Sequence, residues 1–200
     1  MSPMKVLIVA EHDNATLKPA TLHLVSAALQ LGSDISILVA GQGCAAVADS
    51  ASRIAGVSRV LLADNAVYQY QLAEALAPLV VQLASDAGAV LAAASTTGKN
   101  VLPRVAAALD VAQLSEILAI KDASTFVRPI YAGNAIQLVK SGDKTKVMTI
   151  RTAGFDAAPA GGSAPVEALG TAASSGISAW VEEKTATSDR PALTSAGIVV

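Results

Sequence analysis

The sequence predicts an α/β protein with a doubly wound, mostly parallel β-sheet and an added antiparallel β meander. Up to Asp110, short apolar runs alternate with helical segments, and this alternation implies right-handed crossovers between parallel strands. The apolar runs are continuous, as expected for parallel strands that are buried on both faces. After Asp110 the short strand-like runs are separated by turns, which is typical of antiparallel strands.

The first half of the chain contains four predicted strands separated by three helices. The strands are residues 5–10, 35–40, 59–63 and 89–94, and the helices are residues 19–32, 45–55 and 71–87. Pro19 suits a first helical turn, and Gly56 suits a helix C-terminus. Pro78 lies inside the third helix and predicts a kink or a later start.

The second half is predicted to begin with the meander strands 125–132, 135–140 and 146–151. Gly133-Asn134 and residues 141–144 have the composition of the hairpin turns between them. Residues 155–176, rich in Ala, Gly, Ser and Pro, predict a mobile surface excursion. Residues 177–184 alternate well enough to form one more strand, and residues 185–194 resemble a linker. One domain is therefore expected over residues 1–184, with residues 197–200 resembling the opening of a new strand.

Composition excludes several classes of function. The net charge is −2 with no long run of either sign, which argues against a nucleic-acid surface. One cysteine, Cys44, and two histidines are too few for a thiolate or imidazole metal site, so Cys44 is interpreted as a small packing residue. The longest apolar runs fall short of the roughly 20 residues that span a bilayer, and no signal peptide opens the chain. We expect that the protein does not insert into a membrane and that its compartment is a reducing cytoplasm.

The segment 95–100, STTGKN, is a candidate anion-binding turn because it follows a strand and opens a helix. It contains Gly98, Lys99 and Asn100. A phosphate-binding P-loop needs a glycine where Ala93 stands and a Ser or Thr where Asn100 stands, so this is not a Walker A motif. Two interpretations stay open: an anion cradle, or a capped turn with a solvated Lys99.

Two arginines are candidate interface or structural residues. Arg104 lies in the first turns of the helix expected to open at Asn100, and Arg128 lies in a strand near Phe126, Pro129 and Tyr131. A planar guanidinium in apolar surroundings can bind a carboxylate or several carbonyls across an interface. The alternative is an arginine that reaches solvent from a sheet edge.

No catalytic constellation is evident, and the sequence does not predict an enzyme. Glu11, His12 and Asp13 follow the first strand, but neighbouring residues of an extended chain point to opposite faces. Neither Ser95 nor Cys44 has a histidine partner at a recognisable spacing. A complete dinucleotide fingerprint is also missing.

Five blocks of the sequence together resemble a known family. They are VLIVAEHD, GKNVLPRVAAALDVA, TFVRPIYAGNA, VMTIRTAGFDAA and SDRPALTSAGIVV, and in this order they resemble the N-terminal domain of the electron transfer flavoprotein alpha subunit over essentially the whole chain. The resemblance implies an adenine nucleotide alpha hydrolase-like fold and a heterodimer with a beta subunit that holds AMP. It also implies electron transfer from acyl-CoA and other dehydrogenases, as in fatty acid β-oxidation, through FAD to a membrane quinone oxidoreductase.

In the family that the chain resembles, the FAD site lies in a second domain, which here would begin after Val200. No residue of this chain matches those flavin-binding motifs, so we expect no FAD in residues 1–200 and interpret residues 185–200 as a linker and the start of a truncated FAD-binding domain. The expected role is a scaffold and subunit-interface domain. The alternative is an adenine-nucleotide-binding module that uses the turn 95–100. The compartment implied is the bacterial cytoplasm, or the mitochondrial matrix for a mature eukaryotic form.

Overall fold

The structure is a computed structural model that describes residues 4–170 and 176–184. The strands are Lys5–Val9 (β1), Asp34–Gly41 (β2), Arg59–Asp64 (β3), Ala89–Ala93 (β4), Gln113–Ile117 (β5), Ala119–Ile120 (β6), Thr125–Ile130 (β7), Ala135–Lys140 (β8), Lys146–Ile150 (β9) and Val166–Ala168 (β10). The α-helices are Ala20–Leu29 (α1), Ala45–Ser52 (α2), Ala73–Leu83 (α3) and Thr96–Ala108 (α4). Short 3-10 turns cover residues 66–68, 84–86, 131–133 and 152–154.

The large sheet has seven parallel strands in the order β10-β3-β2-β1-β4-β9-β5. The chain moves outward from β1 through β2 to β3 and then returns to place β4 on the other side of β1. The connections therefore change direction between β1 and β4. This point is where open α/β sheets leave a crevice beyond the strand ends. The predicted fold class is confirmed.

Two hydrophobic clusters cover the two faces of this sheet. Leu24 of α1 and Val47 of α2 pack in one cluster, and Val80 of α3 and Leu102 of α4 pack in the other. Alanines are frequent in both clusters and let the helices approach the sheet closely. Because both faces are covered, β4 is buried at every position, which explains its uninterrupted apolar sequence.

A second, small sheet has three antiparallel strands in the order β6-β7-β8. One of its faces joins the core: Phe126 is fully buried, and Ile120 and Val139 pack against the same cluster. Tyr131 and Ala132, both with positive φ, turn the chain from β7 into β8 together with Gly133. The predicted hairpin at Gly133-Asn134 is confirmed.

The predicted meander is wrong in one strand, and one strand was missed. The predicted third meander strand is β9, which lies in the large sheet, parallel to β4 and β5. Its fully buried residues include Val147, Met148 and Ile150. This apolar strand is therefore buried on both faces of the sheet. Residues 141–144 therefore connect the two sheets instead of forming a hairpin. β5, which the sequence analysis did not identify, forms the far edge of the large sheet.

The segment 155–176 is more structured than predicted where the structure describes it. Phe155 and Ala158 are buried, and β10 pairs in parallel with β3. Backbone hydrogen bonds also join this segment to residues 52–60, and a Cβ atom on Gly162 would lie 2.2 Å from the carbonyl oxygen of Ile54. Small residues thus allow close backbone contact rather than only mobility. A strand at 177–184 was also predicted, but these residues form none.

Two helix starts differ from the predictions. The third helix begins at Ala73 and continues through Pro78, so the later start is wrong. α4 begins at Thr96, so Gly98, Lys99 and Asn100 lie in its first two turns and not in a turn before it. The predicted linker 185–194, the new strand 197–200 and the proposed truncation point lie outside the described residues.

Candidate functional site

Gly98 is held at a close contact between α4 and the end of β4. Ser95 is the N-cap residue, and its Oγ accepts a hydrogen bond from the Gly98 backbone N–H at 3.2 Å. A Cβ atom on Gly98 would come within 2.0 Å of the Ala93 carbonyl oxygen, so no larger residue fits without movement. The Gly98 amide, in the turn predicted to cradle an anion, therefore already has a hydrogen-bond partner.

Lys99 stays exposed and also forms an ion pair. Its Nζ lies 2.5 Å from Oε1 of Glu116, and Arg151 Nη1 lies 3.7 Å from Oε2 of the same carboxylate. The hydrogen bond from Lys99 and the two positive charges hold the pKa of Glu116 below its ordinary value. Glu116 has a φ of +56°, and the pairing of β5 with β9 shifts register around it, which is typical of a β-bulge.

The other two residues predicted on α4 lie apart from this group. Arg104 forms an ion pair with Glu74 of α3 at 2.8 Å and so ties the two helices together on one face of the sheet. Asn100 is exposed. Neither side chain lines a cavity among those described here, so the structure does not bring Arg104 and Asn100 together with Lys99 into one binding site.

The small sheet exposes an apolar face to solvent. Its inward-facing residues include Phe126 and Val139, so residues offset by one position face outward. We call this outward surface the outer hairpin face, formed by Ala119, Val127, Pro129, Ile136 and Leu138. Ile136 is 62% exposed and Leu138 64%, whereas the outer face of a solvated antiparallel sheet is normally polar.

Arg128 lies on the inner face of β7, beside the buried Phe126. Its Nε is fully buried, and among the described residues it is the one buried side-chain nitrogen or oxygen without a hydrogen-bond partner. The arginine lines a cavity of about 560 Å³, the hairpin cavity, with Glu116, Arg151, Tyr131 and Gly133. Tyr131 stands at its rim and is 79% exposed. The structure thus brings the predicted residues Arg128 and Tyr131 together.

A second cavity, of about 510 Å³, lies at the point where the strand connections change direction. We call it the switch-point cavity, and it is lined by Glu11, Lys18, His23, Ser95, Arg151 and Thr152 among others. Arg151 lines both cavities. Four residues of these surfaces were not predicted from the sequence: Glu116, Arg151, Ile136 and Leu138. The signal that could have found two of them is strand alternation, which places Ile136 and Leu138 on one face.

The polar loop after β1 forms a structural network. His12 is only 6% exposed, its Nδ1 accepts a hydrogen bond from the Asn14 backbone N–H at 3.1 Å, and Gln71 Nε2 donates to the His12 carbonyl oxygen at 3.0 Å. Burial lowers the pKa of His12. Cys44 is also buried, as predicted for a packing residue.

Within residues 4–170 and 176–184, no three His, Cys, Asp or Glu side chains are grouped in a way that could hold a metal ion. No helix in this part of the chain has the length and apolar character needed to cross a membrane. Both findings concern only the described residues.

Comparison with known proteins gives consistent matches over most of the chain. The electron transfer flavoprotein domain profile matches residues 6–174. The chain is 56% identical over 198 residues to the electron transfer flavoprotein subunit alpha of Pseudomonas aeruginosa, a match that covers 98% of this chain and 64% of the relative. It is 54% identical over 198 residues to the Paracoccus denitrificans subunit alpha, with the same coverage of both chains.

A more distant relative shows the same pattern. The mitochondrial electron transfer flavoprotein subunit alpha of Dictyostelium discoideum is 46% identical over 211 residues, covering 97% of this chain and 59% of the relative. The present chain therefore spans a little under two thirds of the length of these curated relatives.

Proposed function

Because the chain belongs to the electron transfer flavoprotein domain family, we propose that it is the scaffold and subunit-interface part of an electron transfer flavoprotein alpha subunit. Residues 1–184 form one domain in this proposal, and its partner is the beta subunit. The proposed compartment is the cytoplasm of a bacterium, or the mitochondrial matrix for a eukaryotic form.

The outer hairpin face is the observation that carries this proposal. Ile136 and Leu138 project from β8, which is also the edge strand of the small sheet. An apolar face with an open strand edge favours association, because partner binding buries apolar area and can pair the free backbone groups. At the end of the hairpin opposite its tip, the apolar area is bounded by the polar pair Thr125 and Lys140, and polar residues are common at the rims of protein interfaces.

The assembled protein, in this proposal, carries electrons from acyl-CoA and other dehydrogenases through FAD to a quinone oxidoreductase. The chain is a carrier subunit and not an enzyme. Its contribution is to fix the beta subunit, where we expect AMP, against the part of the alpha subunit that holds the flavin. Flavin supplies the one- and two-electron chemistry when it is bound.

The linings of the two cavities do not fit a flavin, and we assign the described residues no role in binding it. The switch-point cavity has no Phe, Tyr or Trp ring among its lining residues to stack on an isoalloxazine. The hairpin cavity offers one such ring, Tyr131, which is mostly exposed. The flavin site is therefore proposed to lie outside the described residues.

Association with the purified beta subunit tests the proposal. We expect a 1:1 complex in size-exclusion chromatography with light scattering, and weaker binding of the Ile136→Asp variant in titration calorimetry. Placing a carboxylate in a buried apolar contact should raise the Kd at least about tenfold. Ile177→Asp is the matched control, because Ile177 is 78% exposed and lies outside the strands.

The result that would contradict the proposal is equally specific. If the wild-type chain does not bind the beta subunit at concentrations of about 100 μM, an interface role is untenable. If both variants bind with the wild-type Kd, the interface lies elsewhere and the outer hairpin face is only a solvent-exposed surface.

The switch-point cavity favours a second candidate function, an adenine-nucleotide-binding module. The cavity lies beyond the carboxyl ends of β1, β4 and β9, where parallel α/β sheets bind ligands. Lys18 and Arg151 provide positive charge at its wall. The sequence alone predicts the segment 95–100 as the anion cradle of such a module. Two contacts weaken this choice of cradle: the Ser95 to Gly98 hydrogen bond and the Lys99 to Glu116 ion pair.

Calorimetric titration of the chain with AMP and ATP tests this candidate. A nucleotide module should release or absorb heat with a Kd below about 1 mM, and Lys18→Met should weaken the binding. Arg53→Met, which removes an exposed charge on the surface after α2, is the control. No heat at millimolar nucleotide would end the hypothesis without affecting the interface proposal.

A further inference from the structure

Arg128 has an unmet hydrogen-bonding requirement in this structure. Its Nε is buried and has no partner within the described residues. An unpaired buried donor costs free energy, and such atoms are rare enough that each one calls for a ligand, a water or a partner. The guanidinium presents several donors in one plane, a geometry that matches a carboxylate.

The nearby acid does not satisfy Arg128. Glu116 is the one carboxylate lining the hairpin cavity, and its two oxygens face Lys99 and Arg151. Arg128 and Arg151 line the same cavity, so its walls carry two positive charges and one negative charge. Lys99 pairs with the same carboxylate from outside the cavity lining and adds a third positive charge nearby. The cavity therefore has the charge to accept one more anion.

The backbone around the cavity is unusual as well. Among the described residues, six that are not glycine have a positive φ, and three of these line the hairpin cavity: Glu116, Tyr131 and Ala132. For residues with a Cβ atom this conformation costs roughly 1 kcal/mol or more each, and such residues concentrate at ligand and partner sites. The same residues fix the rim of the cavity relative to β7.

The position of the cavity indicates that the anion belongs to a protein. The hairpin tip, residues 131–133, borders the cavity and also joins the strands of the outer hairpin face. Arg128 and the outer hairpin face lie on opposite faces of the small sheet, so a partner that covers Ile136 and Leu138 reaches the cavity by extending around the hairpin tip at Tyr131. A single Asp or Glu side chain from that partner could enter and face Arg128.

We propose that the hairpin cavity receives a carboxylate side chain of the beta subunit, which pairs with Arg128 and supplies the polar anchor of the interface. This inference rests on the proposed function, because it takes the outer hairpin face as the apolar part of the same interface. The bound carboxylate accepts hydrogen bonds from the guanidinium.

The test compares Arg128→Met with Arg104→Met in titrations against the beta subunit. Both variants lose one positive charge and keep an apolar stem, but Arg104 pairs with Glu74 on the helices. We expect Arg128→Met to raise the Kd by about 30-fold or more, because it leaves a buried carboxylate without its partner. Arg104→Met should change the Kd by less than about twofold. Arg128→Lys should lie between wild type and Arg128→Met, because it keeps the charge and loses the planar fork.

The stability of the free chain separates binding from folding. Arg128→Met removes an unsatisfied donor from the unbound protein, so its urea midpoint should equal or exceed that of wild type. A merely structural arginine would give the opposite result, a lower midpoint. The reversed-charge variant Arg128→Glu should not bind wild-type beta subunit, and replacing one acidic residue of the beta subunit with Arg should restore binding.

The possible failures are distinguishable. If Ile136→Asp loses binding and Arg128→Met does not, the carboxylate contact is wrong while the interface proposal stands. If Arg128→Met and Arg104→Met weaken binding equally, only long-range attraction is involved and the contact is again wrong. If the wild-type chain binds no beta subunit, the proposed function itself fails.

Discussion

The two sheets of this protein differ in how far they bury their apolar side chains. The seven-stranded sheet buries both faces under helices, and Leu91 and Met148 are fully buried in it. The three-stranded sheet buries one face through Phe126 and leaves Ile136 and Leu138 more than half exposed on the other. Both sheets are rich in apolar residues, so composition does not distinguish them.

This difference in burial means that the large sheet contributes to the stability of the fold and the small sheet to association with a partner. Apolar area buried within the large sheet stabilises the fold, while area left exposed on the small sheet can stabilise only a complex. Substitutions in the large sheet should therefore change the free energy of unfolding. Equivalent substitutions on the outer hairpin face should change partner binding and leave the free chain nearly unaffected.

The largest expected effect comes from a core leucine. Leu91→Ala should lower the free energy of unfolding by about 2 to 5 kcal/mol, because it removes buried contacts in the hydrophobic cluster on one face of β4. Leu138→Ala, the same change on the small sheet, should alter it by less than about 0.5 kcal/mol. Urea denaturation measures both. Equal losses would show that the small sheet also depends on its exposed leucine for folding.

A second prediction concerns the close contact at α4. Gly98→Ala should destabilise the chain by about 1 to 3 kcal/mol, since its methyl group would meet the Ala93 carbonyl oxygen and force α4 away from β4. Gly142→Ala is the matched control, because a Cβ atom there meets nothing within 4 Å. A Gly98→Ala variant as stable as the control would refute the close contact.

A third, smaller effect is the pH dependence at the end of β1. Burial lowers the pKa of His12 in the folded chain, so below the ordinary value of 6.5 the unfolded chain binds the proton more readily. Stability should therefore fall as pH decreases from about 7.5 to 5.5, and His12→Gln should reduce this slope. Denaturation at several pH values measures the difference. An unchanged slope in the variant would mean that His12 is not the titrating group.

The smallest expected effect concerns the ion pair between α4 and β5, at the edge of the large sheet. A double-mutant cycle with Lys99→Met and Glu116→Gln should give a coupling energy of about 0.5 to 1 kcal/mol at neutral pH, as for other partly exposed ion pairs. The pKa of Glu116 is lowered in the folded chain, so the contribution is complete above the ordinary 4.5 and is lost as pH falls through the folded pKa. Coupling that persists in strong acid would contradict an ionic origin.

The strands of the large sheet that alternate with helices along the chain were predicted well from the sequence. β1 to β4 and the helices between them follow from apolar runs bounded by turns. The apolar sequence of β9 would also suit an antiparallel strand. Its pairing with β4 and β5 and the burial of both its faces assign it to the large sheet. β10 is three residues long and contains no periodic signal.

The candidate site was predictable in its residues but not in its geometry. The sequence drew attention to Arg128 and Tyr131, and the structure places both at the hairpin cavity. Alternation in residues 135–140 defines two faces of β8 without saying which one the core covers. The missing partner of Arg128 Nε and the position of Glu116 depend on contacts between distant parts of the chain, which local sequence does not encode.

Hydrogen–deuterium exchange of the chain with and without the beta subunit tests the central claim most directly. β8 is an edge strand of the small sheet, so binding should slow exchange across Ala135–Lys140. Exchange across Val166–Ala168, an edge strand of the large sheet, should stay unchanged. Slower exchange confined to β10 or the switch-point cavity, with none in β8, would contradict the assignment of the small sheet as the partner surface.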